Sequence, residues 1–357
     1  MFPYLLVFFL FTFFSLIEAL RPKDNYAQIH HTSGTKFLLT FLGILLWLFI
    51  GIRYEVGGDW GNYLFYYNNT YILSNNLIWW LDDPGYRFLE WISYKLNGGI
   101  LLVNLFAASF FSIGLIQLCS KFNRPILALT IAIPYLVIVV AMGYTRQACA
   151  IGIMMYGLSK WNGRSTAVIL RYTIIAALFH KSAIIFFALA LIRVTLISKI
   201  FLGGMLFVAF FYVNIFSSAS EAINKNYIQA EYNSSGALIR LSMNALASII
   251  YLIFWNISFK RIFLANIWFL FSIASLFILF LYFMTPSSTL LDRISLYLIP
   301  IQSVAFSSLP QLINPKQHFL RLMLTSLILA YAFLTLFIWL NFATHSSSWI
   351  PYKIFPL

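Results

Sequence analysis

Three arginines lie where long apolar runs meet polar segments, and their chemistry indicates an anionic ligand. Arg53 follows the run FLLTFLGILLWLFIGI, Arg146 follows GYT, and Arg293 lies in LLDRISLYL. A guanidinium stays charged at physiological pH and binds phosphate oxygens through two parallel N–H donors. Several such groups around one pocket can hold a diphosphate without a metal ion. Arg240, in GALIRLS, is a fourth candidate.

Side chains suited to proton transfer and sugar contact accompany these arginines. Asp59, in RYEVGGDWGNY, and His180, in LFHKSA, are the candidates for acid–base chemistry. The candidates for substrate contact are Glu55, Tyr63, Tyr86, Gln147, Lys181 and Tyr297. Aromatic faces stack on sugar rings, so the combined set fits a ligand with a lipid tail, a diphosphate and a glycan.

Each candidate also has a simpler explanation. An arginine can form an ion pair with a neighbouring carboxylate, Tyr and Trp can anchor helices at the membrane surface, and His180 can be a structural hydrogen-bond partner. Glu55 and Asp59 would share a helix face, but the Gly57–Gly58 pair favours a turn. Asp82 and Asp83 are adjacent, so on a helix or strand they point apart and predict no carboxylate clamp.

Several other chemistries have no motif in this chain. There is no phosphate-binding loop or dinucleotide fingerprint, no zinc motif of the HExxH type, and no serine nucleophile elbow. The two cysteines lie in or beside apolar runs, which favours buried thiols over a disulfide. We therefore expect no cofactor and no metal.

The elements that position these residues are membrane helices. The chain is 61% hydrophobic and only 9% charged, which leaves too few charges for a water-exposed shell. Strand-like alternation is absent, so we expect an all-α polytopic membrane protein. The net charge of +13 is then explained by basic cytoplasmic loops and not by nucleic acid.

The apolar runs predict about twelve membrane helices in a single domain that covers residues 1–357. They lie at 2–20, 37–52, 100–119, 126–142, 146–159, 166–180, 182–198, 200–217, 241–259, 262–285, 294–311 and 319–341. The segment 76–97 is predicted to be an interfacial helix, and two longer loops occupy about 53–99 and 218–240.

Charge asymmetry predicts the orientation of this domain. One set of loops carries many Lys and Arg residues with only Glu18 and Asp24 as acids, while the other set carries all remaining acids. The first face is therefore predicted to be cytoplasmic. All the candidate residues fall on the second face, which is periplasmic in a bacterial inner membrane, and both termini are predicted to lie there.

Six segments follow one another along the chain: RYEVGGDWGNY, DDPGYRFLEW, TRQACA, LFHKSA, LDRISLY and WIPYK. Their order and spacing resemble the EpsG/Wzy family of bacterial polysaccharide polymerases, which make O-antigen, capsule and exopolysaccharide. The family's G-T-D-Y reads GGDW at 57–60 here, and its E-P-G-Y reads DPGY at 83–86. The resemblance spans nearly the whole chain.

This resemblance implies a metal-independent glycosyltransferase that moves a growing glycan from undecaprenyl diphosphate to the terminal sugar of another lipid-linked repeat unit. Arg53, Arg146 and Arg293 are then expected to stabilise the departing diphosphate, with Arg240 in support. Asp59 is the preferred base and His180 the alternative. The bilayer and a chain-length regulator are the expected partners. Competing functions are a flippase for the same lipid-linked glycan, an O-antigen ligase, and an acyltransferase that uses His180.

Overall fold

The computed structural model describes residues 1–20, 32–163, 165–191, 236–285, 288–314 and 316–356. Within these ranges the chain forms 16 α-helices, so it is an all-α membrane protein. Five of the helices are long and apolar enough to cross a membrane, and the predicted total of twelve spans is not confirmed. The predicted helix 200–217, the end of 182–198 and most of the loop 218–240 lie outside the described residues.

The described residues up to 191 form eleven α-helices and one short strand. In chain order they are α1 (Phe2–Leu20), α2 (Ser33–Gly51), β1 (Arg53–Tyr54), α3 (Trp60–Asn68), α4 (Thr70–Leu73), α5 (Leu77–Leu81), α6 (Pro84–Lys95), α7 (Gly99–Cys119), α8 (Pro125–Ala132), α9 (Thr145–Lys160), α10 (Thr166–Phe179) and α11 (Phe187–Leu191). A π-helix, Ile133–Ala141, continues α8, and a 3₁₀ helix, Lys181–Phe186, precedes α11.

The described residues from 236 onward form five α-helices and the second strand. They are α12 (Ala237–Ile253), α13 (Ala265–Tyr282), α14 (Thr289–Ser295), α15 (Pro300–Ser308), α16 (His318–Phe342) and β2 (Lys353–Ile354). The 3₁₀ segments Phe259–Arg261, Leu296–Leu298, Leu309–Leu312 and Ser346–Ser348 lie between them.

The long predicted helices agree best with the structure, because a continuous apolar run leaves one way to satisfy the backbone in lipid. The segment α9 starts at Thr145 and α16 at His318, close to the predicted starts. The helix predicted at 126–142 is confirmed in its extent, Pro125–Ala141, but its second half is a π-helix. Pro134 lacks the N–H for a regular helical bond, and the wider π-helix begins at the preceding residue.

Three further predictions need correction. The interfacial segment divides into α5 and α6 because the backbone turns at Asp82 and Asp83. The predicted helix 294–311 is a series of short pieces, with Pro300 and Pro310 at the starts of two of them. Helix α12 begins earlier than predicted, so Arg240 lies in its first turn and not in a loop.

The helices pack through small residues. Helix α7 lies against α2 and α9, and α10 lies against α9. A Cβ atom at Gly114 of α7 would lie 1.9 Å from the carbonyl oxygen of Gly152 of α9. This close approach of two backbones is typical of helix pairs in membranes, where small residues allow the van der Waals packing that drives association in the absence of a hydrophobic effect.

The two ends of the chain are joined at one end of the helices. Strands β1 and β2 pair antiparallel, with Arg53 opposite Ile354. The Tyr4 hydroxyl donates to the Trp349 carbonyl at 2.7 Å, and the Trp349 indole N–H donates to the carbonyl of Ile138 in the π-helix at 2.8 Å. The C-terminal segment therefore closes over the helices just beside Gly143 and the start of α9.

Candidate active site

Five chain segments meet at this end of the helices. Asp59 precedes α3, Asp83 precedes α6, Arg146 lies in the first turn of α9, His180 follows α10, and Arg293 lies in α14. Because neighbouring helices run in opposite directions, the first residues of some helices and the last residues of others lie at the same level of the membrane. Residues that are far apart in sequence thus become neighbours.

Asp59 is the carboxylate with the fewest partners. Its side chain makes no hydrogen bond or ion pair within the ranges that the structure describes. Burial raises the pKa of this carboxyl, and the positive charges of Arg293 and Arg146 lower it in part. Asp59 is therefore within electrostatic range of both guanidinium groups. A partly desolvated carboxylate without a fixed partner is suited to accept a proton.

Arg293 is held in place through its neighbours. Its guanidinium carbon lies 4.7 Å from the centroid of the Tyr144 ring, and its carbonyl oxygen accepts a 2.8 Å hydrogen bond from Gln147 Nε2. Arg240 binds both carboxylate oxygens of the adjacent Asp292 at 2.6 Å. The guanidinium of Arg293 itself has no carboxylate partner among the described residues.

Arg146 is shared between two carboxylates. Its Nη1 lies 3.0 Å from Asp83 Oδ2 and 3.3 Å from Asp82 Oδ2. The expectation that these neighbouring carboxylates point apart is wrong, because Asp83 has a left-handed backbone with φ of 53° and is in neither a helix nor a strand. Lys181 joins the same group, with its backbone N–H on Asp83 and its ammonium 3.6 Å from Asp82.

The two carboxyls of this pair titrate differently. Burial raises the pKa of both, but around Asp82 it is outweighed by Arg146, Lys181 and Arg87, so the pKa of Asp82 falls below its usual value. Asp83 is buried more deeply and faces the charge of Asp82, so its pKa rises. Asp82, with its side chain 43% exposed, is the accessible member of the pair.

His180 is a neutral hydrogen-bonding group in this structure. Its Nδ1 accepts from the backbone N–H of Ser182 at 3.3 Å, and it lies 2.6 Å from Ser182 Oγ, which is 2.8 Å from the Tyr297 hydroxyl. Burial and the charges of Arg146, Arg293 and Lys181 lower the pKa of His180 to about 3. With Nδ1 as an acceptor, the proton of the neutral ring belongs on Nε2, which is then a donor.

Residues 36–354 of the chain match the family model described as the EpsG family. The chain belongs to the EpsG family. This is a Wzy-type polysaccharide polymerase family, so the resemblance found in the sequence is confirmed. No curated protein and no solved structure matches the chain.

Arg53 of this EpsG-family protein lies beneath the group of charges described above. It is only 1% exposed. Its guanidinium donates to the Ile50 carbonyl and, at 2.9 Å, to the Thr145 hydroxyl. These bonds connect the end of α2 to the start of α9, directly before Arg146. The predicted diphosphate contact of Arg53 stays a prediction.

The predicted tyrosines lie at different depths. Tyr63 is buried, and its hydroxyl accepts from the backbone N–H of Arg146 at 3.4 Å. Tyr86 is fully buried, its ring centroid lies 5.5 Å from that of Tyr63, and its hydroxyl has no hydrogen-bond partner among the described residues. Tyr297 is buried next to His180 through Ser182. Tyr63 and Tyr86 thus contact another candidate residue directly, whereas Tyr297 reaches His180 through Ser182.

Glu55 is separated from the other acidic candidates. It has a positive φ of 52° and forms an ion pair with Lys353 of β2, at the exposed edge of the strand pair. The turn at Gly57 and Gly58, and not a helix, separates it from Asp59. A substrate contact by Glu55 would therefore involve this edge, and it stays a prediction.

One set of charged residues was missed in the sequence. Arg87 is 2% exposed, lies 2.8 Å from Glu90 and 3.2 Å from Asp82, and stacks over the rings of Tyr66 and Trp79. The contact between Arg87 and Glu90 could have been predicted from the sequence, because residues three apart on a helix are neighbours. The contact between Arg87 and Asp82 could not, because it depends on the backbone turn at Asp82 and Asp83. Arg87, Asp82 and Arg146 thus form one linked group of charges at the candidate site.

The described residues contain no cluster of three or more His, Cys, Asp or Glu side chains that could hold a metal ion. The family match does not address metal dependence, so a metal-independent reaction stays a prediction for this EpsG-family member.

Proposed function

We propose that the chain is an oligosaccharide repeat-unit polymerase. It transfers a growing glycan from undecaprenyl diphosphate to the terminal sugar hydroxyl of another lipid-linked repeat unit. The observation that carries the proposal is the placement of Asp59 near both Arg293 and Arg146 in a protein of the EpsG family. A carboxylate can take the proton that the acceptor hydroxyl loses, and two cations can stabilise the negative charge that develops on the departing diphosphate.

The reaction forms one bond and breaks one bond. The acceptor oxygen attacks the anomeric carbon of the donor sugar, and the bond between that carbon and the diphosphate oxygen breaks. The electron pair leaves with undecaprenyl diphosphate, and the acceptor proton passes to the Asp59 carboxylate. Fixed cations near the departing oxygen stabilise the negative charge that develops there and lower the barrier.

Arg293 and Arg146 have the direct role in this proposal. Arg293 has a guanidinium without a carboxylate partner among the described residues, and Arg146 is partly exposed, with 29% of its side chain accessible. Arg240 supports Arg293 through Asp292, and Arg53 supports Arg146 through Thr145. In this proposal Arg53 and Arg240 are positioning residues in place of the direct diphosphate contacts predicted from the sequence, because Arg53 is only 1% exposed and Arg240 is paired with Asp292.

Asp59 is the base, and His180 is a neutral donor in the proposal. A ring whose pKa is about 3 is a poor proton acceptor near neutral pH, whereas the Nε2–H of its neutral form can bind a sugar hydroxyl or phosphate oxygen. In this proposal the substrate contacts around Asp59 and His180 come from three further side chains: Gln147, Lys181 and Tyr297. Tyr63 supports the start of α9, and Tyr86 packs behind it.

The reactive end faces the periplasm of a bacterial inner membrane in this proposal. The opposite end carries Lys121, Arg124, Lys160, Lys260, Arg261 and Lys316, with Glu18 as the one acid among its described residues. Basic residues accumulate in cytoplasmic loops, which supports this orientation.

The test is polymer length with the purified protein in detergent and synthetic undecaprenyl-diphosphate repeat units as the sole substrates. We expect wild type to lengthen chains, and Arg293→Ala or Arg146→Ala to lose at least a hundredfold in rate, the scale of one transition-state donor. Lys95→Ala, at the same end but outside the charge cluster, is the control. Full-length polymer from either arginine variant would refute the diphosphate role.

The same assay separates the competing functions. A flippase has nothing to cross in detergent and lengthens no chain, and a ligase needs a lipid A–core acceptor that is not supplied. No elongation by a correctly folded wild-type protein would therefore argue against a polymerase.

A further inference from the structure

A cavity of about 310 Å³ lies at the end of the helices opposite the candidate active site. Helix α9 begins at Thr145 beside the site and ends at Lys160, and its 16 residues span about 24 Å. The cavity is lined by the residues that follow α9, including Trp161 and Asn162, and by Lys260, Phe263 and the start of α13. The two sites are thus separated by the length of a membrane helix.

Trp161 gives this cavity a buried hydrogen-bond donor. It is only 2% exposed, and its indole Nε1 has no hydrogen-bond partner among the described residues. Buried N–H groups are nearly always paired in proteins, because an unpaired one has lost its water without compensation. An acceptor atom of a ligand in the cavity would satisfy it.

The surroundings of the cavity are basic. Lys260 lines it, and Lys121, Lys160 and Arg261 are in the segments around it. The described residues of the segments 120–124, 159–163 and 254–266 contain no Asp or Glu. An occupant with negative charge is therefore favoured over a neutral or cationic one.

The lysines are at the level of an aromatic layer. The Nζ atoms lie above aromatic rings: Lys160 is 5.0 Å from the Tyr156 ring centroid, Lys260 is 5.8 Å from that of Trp255, and Lys121 is 5.8 Å from that of Phe263. Stems that cover apolar surface while the ammonium remains near water are typical of the membrane interface. The cavity is then at the depth of lipid headgroups.

An apolar side chain of the cavity lining is exposed on the outside of the helices. Leu270 of α13 lines the cavity, and 38% of its surface is accessible. An occupant with a phosphate in the cavity can therefore extend acyl chains along α13. We propose that this cavity binds the headgroup of an anionic phospholipid, with the phosphate held by Lys260 and the Trp161 indole N–H. Basic pockets between membrane helices are a recurrent setting for such headgroups.

The test is lipid binding by native mass spectrometry of the purified full chain, without turnover. Phosphatidylglycerol and phosphatidylcholine are titrated separately into wild type, Lys260→Ala and Trp161→Phe. We expect wild type to prefer phosphatidylglycerol, and each variant to bind it about fivefold more weakly, the scale of one basic contact. Lys316→Ala, an exposed lysine at the same end and outside the cavity, is expected to bind as wild type does.

Two results would overturn the inference. One is equal affinity of wild type and Lys260→Ala for phosphatidylglycerol, with both proteins monodisperse. The other is displacement of the lipid by inorganic phosphate at low millimolar concentration, which would assign the cavity to a free anion. Polymer synthesis is not part of this assay, so its result stands apart from that of the proposed catalytic function.

Discussion

At the scale of single residues, the pKa of Asp59 is set by two opposing effects, its burial and the positive charges near it. Burial raises its pKa, and Arg293 and Arg146 restrain the rise. The proposed base must be deprotonated to act, so we expect activity above the pKa of Asp59 and its loss as the pH falls through that pKa. The acidic limb should thus lie above the ordinary aspartate value of 3.8.

Replacing Arg293 should move the acidic limb of the pH–activity profile to higher pH. Arg293→Gln removes a cation that lowers the pKa of Asp59, so the midpoint of the acidic limb in kcat/KM should shift to higher pH. Residual activity of the variant is measured from pH 4 to 8 in one buffer series. Lys95→Gln removes a cation at the same end and should leave the midpoint in place. An unchanged midpoint in Arg293→Gln would separate Asp59 from the reacting proton.

We expect His180 to help bind the substrate but not to determine the acidic limb of the pH–activity profile. Because its pKa is about 3, the ring stays neutral throughout the working range of the enzyme. We expect His180→Gln, which keeps a donor amide, to lower kcat about tenfold or more while the acidic limb remains. Asp59→Asn should reduce kcat by 10²- to 10⁴-fold, the usual contribution of a general base.

The opposite pattern would exchange the two roles. If the acidic limb disappears in His180→Gln and persists with substantial activity in Asp59→Asn, the imidazole is the base. Both variants are compared at matched membrane insertion, judged by size-exclusion profile.

The types of the site residues were predictable, but their partners were not. Asp59, His180, Arg146 and Arg293 stand out in the sequence because charge is rare in so apolar a chain. The pairing of Arg240 with Asp292 depends on how α12 meets α14, which no local spacing specifies.

At the scale of elements, the contact between α7 and α9 positions Arg146. A Cβ atom on Gly152 would lie 2.5 Å from the Phe110 carbonyl oxygen and from the Phe111 Cα. Gly152→Ala should separate the two helices and destabilise the protein by about 1–3 kcal/mol, the usual effect of overpacking. We expect a lower Tm and reduced polymer synthesis, because Arg146 begins α9.

A matched glycine controls for this substitution. Gly34, near the start of α2, has nothing within 4 Å of a built Cβ, so Gly34→Ala should leave Tm and activity near wild type. Equal effects of the two alanines would contradict the close-packing explanation.

Helix positions were predictable to the extent that apolar runs are long and unbroken. Helices α1, α7 and α16 follow directly from such runs. The break between α5 and α6 was missed although Pro84 signals it, since the residue before a proline is disfavoured in the α conformation. The left-handed backbone of Asp83 had no such signal. That one turn brings Asp82 and Asp83 to Arg146, so a local irregularity decides the geometry of the site.

At the scale of the whole molecule, Trp349 joins segments from both ends of the chain. It is buried and binds Tyr4 and Ile138 through its carbonyl and its indole N–H. Trp349→Ala should lower stability by about 3–5 kcal/mol, the typical loss for a buried aromatic side chain. Thermal unfolding in detergent measures this effect.

A conservative variant keeps an aromatic ring at this position. Trp349→Phe removes the N–H donor and the outer ring atoms that lie beside Gly143 but still fills part of the buried space, so its Tm should lie between those of wild type and Trp349→Ala. A Tm of Trp349→Ala equal to that of wild type would mean that the C-terminal segment is not part of the stable structure.

The joined chain ends also decide where a probe can be attached without disturbing the site. Fluorophores or affinity handles fused near Tyr4 or Ile354 would crowd the approach of a long lipid-borne sugar. Lys316 is exposed at the far end, and the chain's two native cysteines, Cys119 and Cys149, are both buried. A thiol introduced by Lys316→Cys should therefore react selectively with maleimide dyes, which gives single-molecule imaging a marker remote from the chemistry.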